Sequence, residues 1–294
     1  MDIANFRGIA LSSLFGKIFD NIILDRYCDK LLSSELQFGF KANHSTNMCS
    51  MVLKETISYY KQHQTPVFCT FLDASKAFDR LHYCKLFKLL LNRQLPAHIL
   101  RVLINLYTNS CVRVAWGAIT SDYFSADNGV KQGAVLSPVL FCVYIDDLLL
   151  LLKKAGFGCY IGDHFVGALA YADDIVLVAP SATALRKMLA ICEDYADEYC
   201  ICFNAAKSKY LVILPICRRS LAKEFQSCVF HVANKPIELV KSFSHLGHSF
   251  TSEFNDDEDI MNGRSNFVRH TNNSLCGRNY ASGTYDSEYK LETP

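Results

Sequence analysis

The sequence has almost no net charge and no long apolar run, and these absences exclude several classes of protein. Lys and Arg number 30 against 29 Asp and Glu, a formal net charge of +1. Tight unaided binding to a polyanion requires a larger positive excess, so it is not predicted. No stretch of 18 or more residues is free of charge, so no transmembrane helix is predicted. The N-terminus also lacks the basic, apolar and small-residue zones of a signal peptide.

A CxxC pair is also missing, although the chain has 13 cysteines. They occur singly and mostly in apolar surroundings, which favours reduced thiols in an intracellular protein without a disulfide framework. No basic localisation run separates a nuclear from a cytoplasmic site. His245 and His248 lack Cys or His partners at ligand spacing, so the sequence gives little support to a zinc site.

The residues that are present describe a globular chain of 294 residues, 50% hydrophobic and 20% charged. This length suits one large domain or two coupled subdomains. The charge is unevenly distributed. From Glu253 onward eight Asp or Glu stand against four Lys or Arg, which leaves a mildly basic +5 on residues 1–252.

Apolar spacing predicts a mixed helical and stranded chain. Helices are predicted over 12–36, 45–62, 82–93, 96–109, from 137 to about 152, and 181–199. Strands are predicted for a run that ends at Asp73 and for 209–214, with hairpins in 111–130 and 165–180 and a last short strand pair within 228–250. About thirty residues at the C-terminus are expected to be loosely held.

The stretch "LAYADDIVLVAP" places Asp173 and Asp174 inside an apolar run. A buried carboxylate without a partner costs several kcal/mol, so the pair indicates either an exposed hairpin tip or a metal-binding turn. Asp73, at the end of a predicted strand, provides a second acidic site. If the three carboxylates converge, Mg²⁺ would compensate their repulsion, and two such ions catalyse phosphoryl displacement. Two unrelated turns remain the alternative.

Further segments resemble the motifs of reverse transcriptases, and more narrowly those of non-LTR (LINE-like) retrotransposons. The matching segments are "FRGIALSSLFGKIFDNIILDRY", "QFGFKANHST", "LDASKAFD", "GVKQGAVLSPVLF", "YADD", "FNAAKSKYLVI" and "SFSHLGHSF". They follow the family's order and cover about residues 5–250, roughly five-sixths of the chain. Ala before the paired Asp is typical of this family, whereas RNA-dependent RNA polymerases usually have Gly there.

The resemblance implies an α/β (α+β) right-hand polymerase fold: a palm with an antiparallel sheet and a catalytic hairpin, helical fingers and a truncated thumb. Residues 1–65 would form the N-terminal part of the fingers, 66–250 the palm with inserted fingers elements, and 251–294 the start of the thumb and a poorly ordered tail. The implied activity is RNA-directed DNA synthesis with two Mg²⁺ ions (Mn²⁺ as a substitute). Its partners would be deoxynucleoside triphosphates (dNTPs), an RNA template and a DNA or RNA primer.

By this resemblance Asp73 and Asp173 are the principal metal ligands. Asp174 completes the cluster less directly, since neighbours on a tight turn cannot both aim at one ion. Lys207, after the catalytic hairpin, would neutralise or protonate the leaving pyrophosphate. The alternative for Lys207 is a solvated surface side chain.

The resemblance assigns five residues to the dNTP site. Arg7 and Lys41 would hold the triphosphate, although the family commonly has Arg at the position of Lys41. Phe78, five positions after Asp73, would exclude a ribose 2′-hydroxyl; its alternative is a core aromatic. Gln132 would hydrogen-bond the nucleotide and Gly133 would admit the base pair, with a simple turn as the alternative.

The remaining assignments concern the primer and the integrity of the chain. His245, Leu246 and Gly247 match the primer-grip turn. The paired Asp146 and Asp147 are interpreted as structural contacts or helix-surface groups. The first block has Gly and Ala where the family has Pro and Ser, and both flanks look short. An inactive truncated remnant that only binds RNA or primer–template therefore stays open as an alternative.

Overall fold

The computed structural model describes residues 9–215, 217, 225, 227–255, 257 and 259–261. Arg7 lies outside these residues, as does most of the predicted thumb segment 251–294 with its tail. Among the described residues, no helix combines the length and apolarity needed to cross a membrane.

The described part is a succession of helices and short strands. The helices are α1 (Leu14–Arg26), α2 (Cys28–Leu31), α3 (Thr46–Gln62), α4 (Ala77–Arg80), α5 (Tyr83–Asn92), α6 (Ala97–Thr108), α7 (Ser137–Ala155) and α8 (Ala182–Tyr199). The strands are β1 (Val67–Asp73), β2 (Cys111–Val112), β3 (Ala115–Trp116), β4 (Ile119–Thr120), β5 (Phe124–Ser125), β6 (Tyr160–Ile161), β7 (His164–Phe165), β8 (Ala168–Tyr171), β9 (Asp174–Ala179), β10 (Lys209–Ile213), β11 (His231–Val232), β12 (Lys235–Pro236), β13 (Glu238–Leu239), β14 (Ser242–His245) and β15 (His248–Thr251).

One sheet organises the fold, with the strand order β13-β10-β1-β9-β8. The central strand β1 is antiparallel to both β10 and β9, and β8 is antiparallel to β9. The predicted antiparallel sheet is confirmed for these four strands. It is wrong for β13, which follows the β11–β12 hairpin and pairs parallel to β10 over two residues.

Strand β1 is covered on both faces, which explains its uninterrupted apolar sequence "VFCTFLD". Phe68 and Leu72 face a large cluster that includes the buried sides of α5, α6, α7 and α8. Cys69 and Phe71 face a smaller cluster with α3 and β15. The sheet is thus a middle layer between two apolar clusters. Functional side chains can reach solvent at the ends of its strands.

The predicted helix over 12–36 is wrong in its second half, since the chain breaks after α1 and becomes extended after α2. Two tertiary hydrogen bonds account for this. The Arg93 guanidinium donates to the Leu32 carbonyl at 2.5 Å, and the Ser34 N–H donates to Asp146 Oδ1 at 2.7 Å. These bonds engage backbone groups that a continuing helix would have paired internally.

Most other predicted elements are confirmed, among them α3, β1, α8 and β10. The expectation of a single strand pair within 228–250 is wrong, since five strands from β11 to β15 occupy 231–251. The β6–β7 hairpin was not predicted either. Strands of two residues are too short to show the alternation on which strand prediction depends.

Candidate active site

The end of β1 places Asp73 directly opposite Asp174. The β1–β9 register pairs Phe71 with Val176, and two residues later Asp73 with Asp174. Directly opposed residues of an antiparallel ladder share one face, with Cβ atoms about 5 Å apart. Like charges at such a pair repel each other. A bound cation would reverse that penalty, which makes this strand end a candidate cation site.

Ala172 and Asp173 form the two-residue turn between β8 and β9, because Tyr171 pairs with Asp174 across the ladder. Ala172 has a φ of +57°, in the left-handed region. That conformation costs a residue with a Cβ about 1–2 kcal/mol, and such strain is found disproportionately at functional sites. The turn holds the half-buried Asp173 at the same sheet end as Asp73.

The charges of Asp173 and Asp174 affect the pKa values of two different cysteine thiols, which lie in different layers of the fold. Burial raises the pKa of the Cys49 thiol on α3 to about 12, and the charge of Asp174 adds to the shift. Burial also raises the pKa of the Cys142 thiol on α7 to about 12, with Asp173 among the smaller contributions. The helices α3 and α7 lie on opposite faces of the sheet. The two adjacent carboxylates therefore influence thiols on opposite faces of the sheet.

Lys207 belongs to a turn that is tied to the end of β1. The Asp73 N–H donates to Ser208 Oγ at 3.1 Å, and the Asn204 N–H donates to the Asp73 carbonyl at 2.8 Å. The Lys207 N–H in turn donates to the Asn204 carbonyl at 3.2 Å. The exposed Lys207 therefore lies on the segment that borders Asp73.

The segments that contain Phe78 and Gln132 are hydrogen-bonded to each other, although they are far apart in the chain. The Val130 N–H donates to the Phe78 carbonyl at 2.8 Å, and Gln132 Nε2 donates to Asp79 Oδ1 at 3.0 Å. The half-buried Phe78 ring stacks on Phe141, with centroids 4.6 Å apart and planes at 21°. Phe78 thus packs against a core aromatic while it stays only half-buried.

Gly133 occupies a conformation that requires glycine, with a φ of +104°. The segment that follows Arg7 packs on it: the Ala10 N–H donates to the Gln132 carbonyl at 2.7 Å. A Cβ at Gly133 would lie 3.1 Å from the Ala10 carbonyl oxygen. The first predicted fingers block therefore docks at the Gln132–Gly133 turn.

Lys41 is partly buried beside α7. Its Nζ donates to the Ser34 carbonyl at 2.5 Å. Burial lowers the pKa of the Lys41 ammonium, an effect that the neighbouring Asp146 opposes. An ammonium has three N–H donors, so the bond to Ser34 leaves capacity for a phosphate oxygen.

The predicted primer-grip turn is the tip of the β14–β15 hairpin, where His245 pairs with His248 around Leu246 and Gly247. His245 is only 5% exposed, and its ring lies 5.1 Å from that of Phe71. The structure therefore makes the His245 side chain a core contact. The surface that the turn offers is formed by the half-buried Leu246 and the exposed Gly247.

His245 should make the protein less stable in acid. Burial lowers the pKa of its imidazole from 6.5 to about 4. Between these values the unfolded chain binds a proton that the folded protein does not, so the free energy of unfolding falls as the pH falls. The full loss from pH 6.5 to 4 is about 3 kcal/mol.

Urea unfolding at several pH values within this window measures the loss. His245→Leu should remove this part of the pH dependence. An unchanged pH dependence in His245→Leu would show that other groups cause it.

A comparison with known protein families shows which family the chain resembles. Residues 2–250 match the family described as "Reverse transcriptase (RNA-dependent DNA polymerase)". The chain belongs to the reverse transcriptase family. Among similar curated proteins, the Pol polyprotein of retrotransposable element R2 from Nasonia vitripennis is 27% identical over 85% of this chain and 24% of its own length. The R2DM polyprotein of Drosophila melanogaster is 26% identical over 87% of the chain and 25% of its own length.

This reverse transcriptase domain therefore spans about a quarter of the length of the R2 polyproteins that it matches. The "Probable RNA-directed DNA polymerase from transposon X-element" of Drosophila melanogaster is 30% identical over 49% of this chain and 16% of its own length. The resemblance to the reverse transcriptases of non-LTR retrotransposons is confirmed by these relatives.

Solved structures agree on the fold. Apo telomerase from Candida tropicalis matches with a TM-score of 0.52 at 12% identity, over 82% of this chain and 40% of that chain. A telomerase from the same species, in complex with a TWJ fragment of telomeric RNA, also gives 0.52 at 11% identity, over 83% of this chain and 36% of that one. Such low identity shows the fold alone, which is that of a palm-and-fingers polymerase.

Reverse transcriptases depend in general on a divalent metal ion. In the part of the chain that the structure describes, no three His, Cys, Asp or Glu side chains form a ready-made metal site. The donors at the strand end are carboxylate oxygens, which suit a hard cation. Mg²⁺ usually takes one or two carboxylates and completes its shell with water and substrate phosphates. The opposed Asp73 and Asp174 supply two carboxylates of this kind, with Asp173 on the adjoining turn.

Two residues of the site were not singled out by the sequence analysis. Gln37 and Ser208 are both fully buried, and both hydrogen-bond the backbone of the acidic segments. Both lie within family-like segments, "QFGF" and "NAAKS". A polar residue inside a quoted segment was the available sign, since a buried polar side chain requires a partner.

Proposed function

We propose that this chain catalyses RNA-directed DNA synthesis as the reverse transcriptase of a non-LTR retrotransposon, extending a primer 3′-hydroxyl with dNTPs. The observation that carries the proposal is the pairing of Asp73 with Asp174 beside the turn that holds Asp173. The Lys207 turn borders this acidic end, and the Phe78 segment, which follows Asp73 in the chain, is bonded to the Gln132 segment. A triphosphate, a sugar and a primer terminus each find a group of suitable chemistry there.

The carboxylates of Asp73, Asp173 and Asp174 would hold Mg²⁺, two ions in this proposal, with Mn²⁺ as a substitute. Such ions supply activation of the attacking hydroxyl and stabilisation of the leaving oxygen in an in-line displacement. The protein's part is to fix the carboxylates. The β1–β9 ladder and the bonds of Asp73 to Ser208 and Asn204 do this through the backbone, without using the carboxylate oxygens.

Basic groups would serve the triphosphate. Lys41 and Arg7 would neutralise it on the fingers side, taken as residues 1–65. Lys207 Nζ would donate a proton to the leaving pyrophosphate from the palm, taken as 66–250. The primer would lie on the Leu246–Gly247 turn, next to the thumb that 251–294 begins.

The nucleotide sugar would lie against Phe78. The Phe141 stack fixes the ring from behind, so it cannot swing away from a ribose 2′-hydroxyl. Gln132 is held by Asp79 at 3.0 Å, which presents the rest of its amide to the nucleotide. Gly133, without a side chain, lets the base pair approach.

Phe78→Val should relax the discrimination against ribonucleotides. Removing a steric contact of this kind changes selectivity by roughly 10–200-fold, so ribonucleotide incorporation relative to deoxynucleotide should rise within that range. Single-nucleotide extension with each triphosphate measures the ratio. Phe87→Val, on α5 against the same core, is the matched control and should leave the ratio unchanged. A Phe78→Val enzyme with the wild-type ratio would reduce Phe78 to a core aromatic.

Primer extension tests the proposed function. The purified chain is incubated with an RNA template, an annealed DNA primer, dNTPs and Mg²⁺. Product whose length follows the template, and which is absent without template or with a chelator, supports the proposal. Folded protein that binds primer–template and adds no nucleotide would overturn it, and would favour a binding remnant.

A further inference from the structure

The side-chain amide of Gln37 hydrogen-bonds the backbone of the Ala172–Asp173 turn. Gln37 is fully buried, and its Oε1 accepts the N–H of Ala172 at 2.9 Å. Its Nε2 donates to the carbonyl of the same Ala172 at 3.3 Å. Both backbone groups of the residue that precedes Asp173 are therefore held by one side chain.

The backbone around Gln37 extends the sheet beside β8. Gln37 forms a parallel bridge with Ala170. The Phe38 N–H donates to the Ala170 carbonyl at 2.7 Å, and the Ala170 N–H donates to the Leu36 carbonyl at 2.9 Å. This short edge segment, 36–38, ends where the Gln37 side chain reaches Ala172. The segment is in register with the hairpin and cannot shift without breaking these bonds.

Gly39 permits the close approach. Its N–H donates to Gln37 Oε1 at 2.9 Å, which orients the amide. A Cβ at Gly39 would lie 2.5 Å from the Ala172 backbone nitrogen, closer than real contacts allow. From the other side, Cys142 Sγ on α7 donates to the Gly39 carbonyl at 3.6 Å. The segment 37–39 is thus bonded to the turn through Gln37 and to α7 through Gly39.

We propose that Gln37 is a positioning residue for the catalytic turn. By fixing the left-handed conformation of Ala172, it sets the direction of the Asp173 carboxylate without contacting substrate or metal. The inference rests on the proposed function in one respect, that Asp173 acts in catalysis. A misplacement of about 1 Å at a reacting centre can lower the rate by about 100-fold.

Two variants of different chemistry test the positioning role of Gln37. Gln37→Met keeps the length of the side chain and removes the amide. Gly39→Ala keeps the amide and forces the segment away from Ala172. Each should lower kcat about 10- to 100-fold while the KM for dNTP changes less than twofold. Each should also accelerate hydrogen exchange of the peptide 170–175 about tenfold in the protein without nucleotide, with exchange in α8 unchanged.

Tyr195→Phe is the matched control, because it removes a buried side-chain-to-backbone bond to the Tyr144 carbonyl at 2.6 Å. It should leave kcat and the exchange of 170–175 at wild-type values. The positioning role would be overturned if Gln37→Met and Gly39→Ala both had the wild-type kcat. It would also be overturned if both had wild-type hydrogen exchange at 170–175. Absence of synthesis by the wild type would instead overturn the proposed function, and hydrogen exchange would still decide whether Gln37 holds the turn.

Discussion

Asp173→Asn is expected to lower primer extension on an RNA template by at least roughly 10³-fold, as removal of a central catalytic group does. The fold should be kept. Asn keeps the size of the Asp side chain and the β8–β9 ladder is paired through the backbone, so the melting temperature without metal should change little. Extension rate and thermal unfolding, measured on the same preparation, separate lost chemistry from lost structure.

The chain offers a closely matched control at Asp163. Gly162 and Asp163 form the two-residue turn of the β6–β7 hairpin, since Ile161 pairs with His164. Asp163 therefore has the same place in its turn as Asp173 has in the Ala172–Asp173 turn, and it is exposed. Asp163→Asn should extend primers at the wild-type rate. Equal activity of Asp173→Asn and the wild type would refute the catalytic assignment.

Asp146→Ala is expected to lower the free energy of unfolding by roughly 3–5 kcal/mol, as the loss of one partner from a buried ion pair does. The Asp146 side chain is 3% exposed and lies 2.8 Å from Arg93, whose side chain is 18% exposed. Its other oxygen accepts the Ser34 N–H at 2.7 Å. The substitution leaves both groups without their buried partner. Urea unfolding measures the loss.

The neighbouring Asp147 provides the comparison. It lies 3.5 Å from the same guanidinium, and its side chain is 38% exposed. Exposed pairs contribute at most about 1 kcal/mol, so Asp147→Ala should cost no more than that. Equal costs for the two substitutions would contradict the burial argument. The interpretation of this acidic pair as structural contacts or helix-surface groups is confirmed by the Arg93 bonds.

The sequence was most informative where a residue type has one dominant use. The apolar run that ends at Asp73 and the Asp173–Asp174 pair both lie where they were expected, on β1 and at the β8–β9 turn. The register that opposes Asp73 to Asp174 was not predictable. Register depends on how two strands from distant parts of the chain align, and a shift of one residue changes every pair.

The direction of individual side chains also could not be predicted from the sequence. His245 was assigned to the primer-grip turn without a prediction of its side-chain direction, and its ring packs against Phe71. Alternation along a two-sided polar strand gives little indication of which face is buried. The amide of Gln37 was missed for a related reason: its bonds to Ala172 depend on an edge pairing between segments that are distant in sequence.

The central place of β1 has a consequence for synthesis of the chain on the ribosome. β1 leaves the ribosome before either of its neighbours, β9 and β10, has been made. At about 5–20 residues per second, this apolar strand waits roughly 5–20 seconds with both hydrogen-bonding edges open, until β9 has been made. Exposed edges of this kind pair readily with other chains. The same arrangement that assembles the acidic cluster from distant segments therefore makes the nascent chain dependent on protection until residue 213 has emerged.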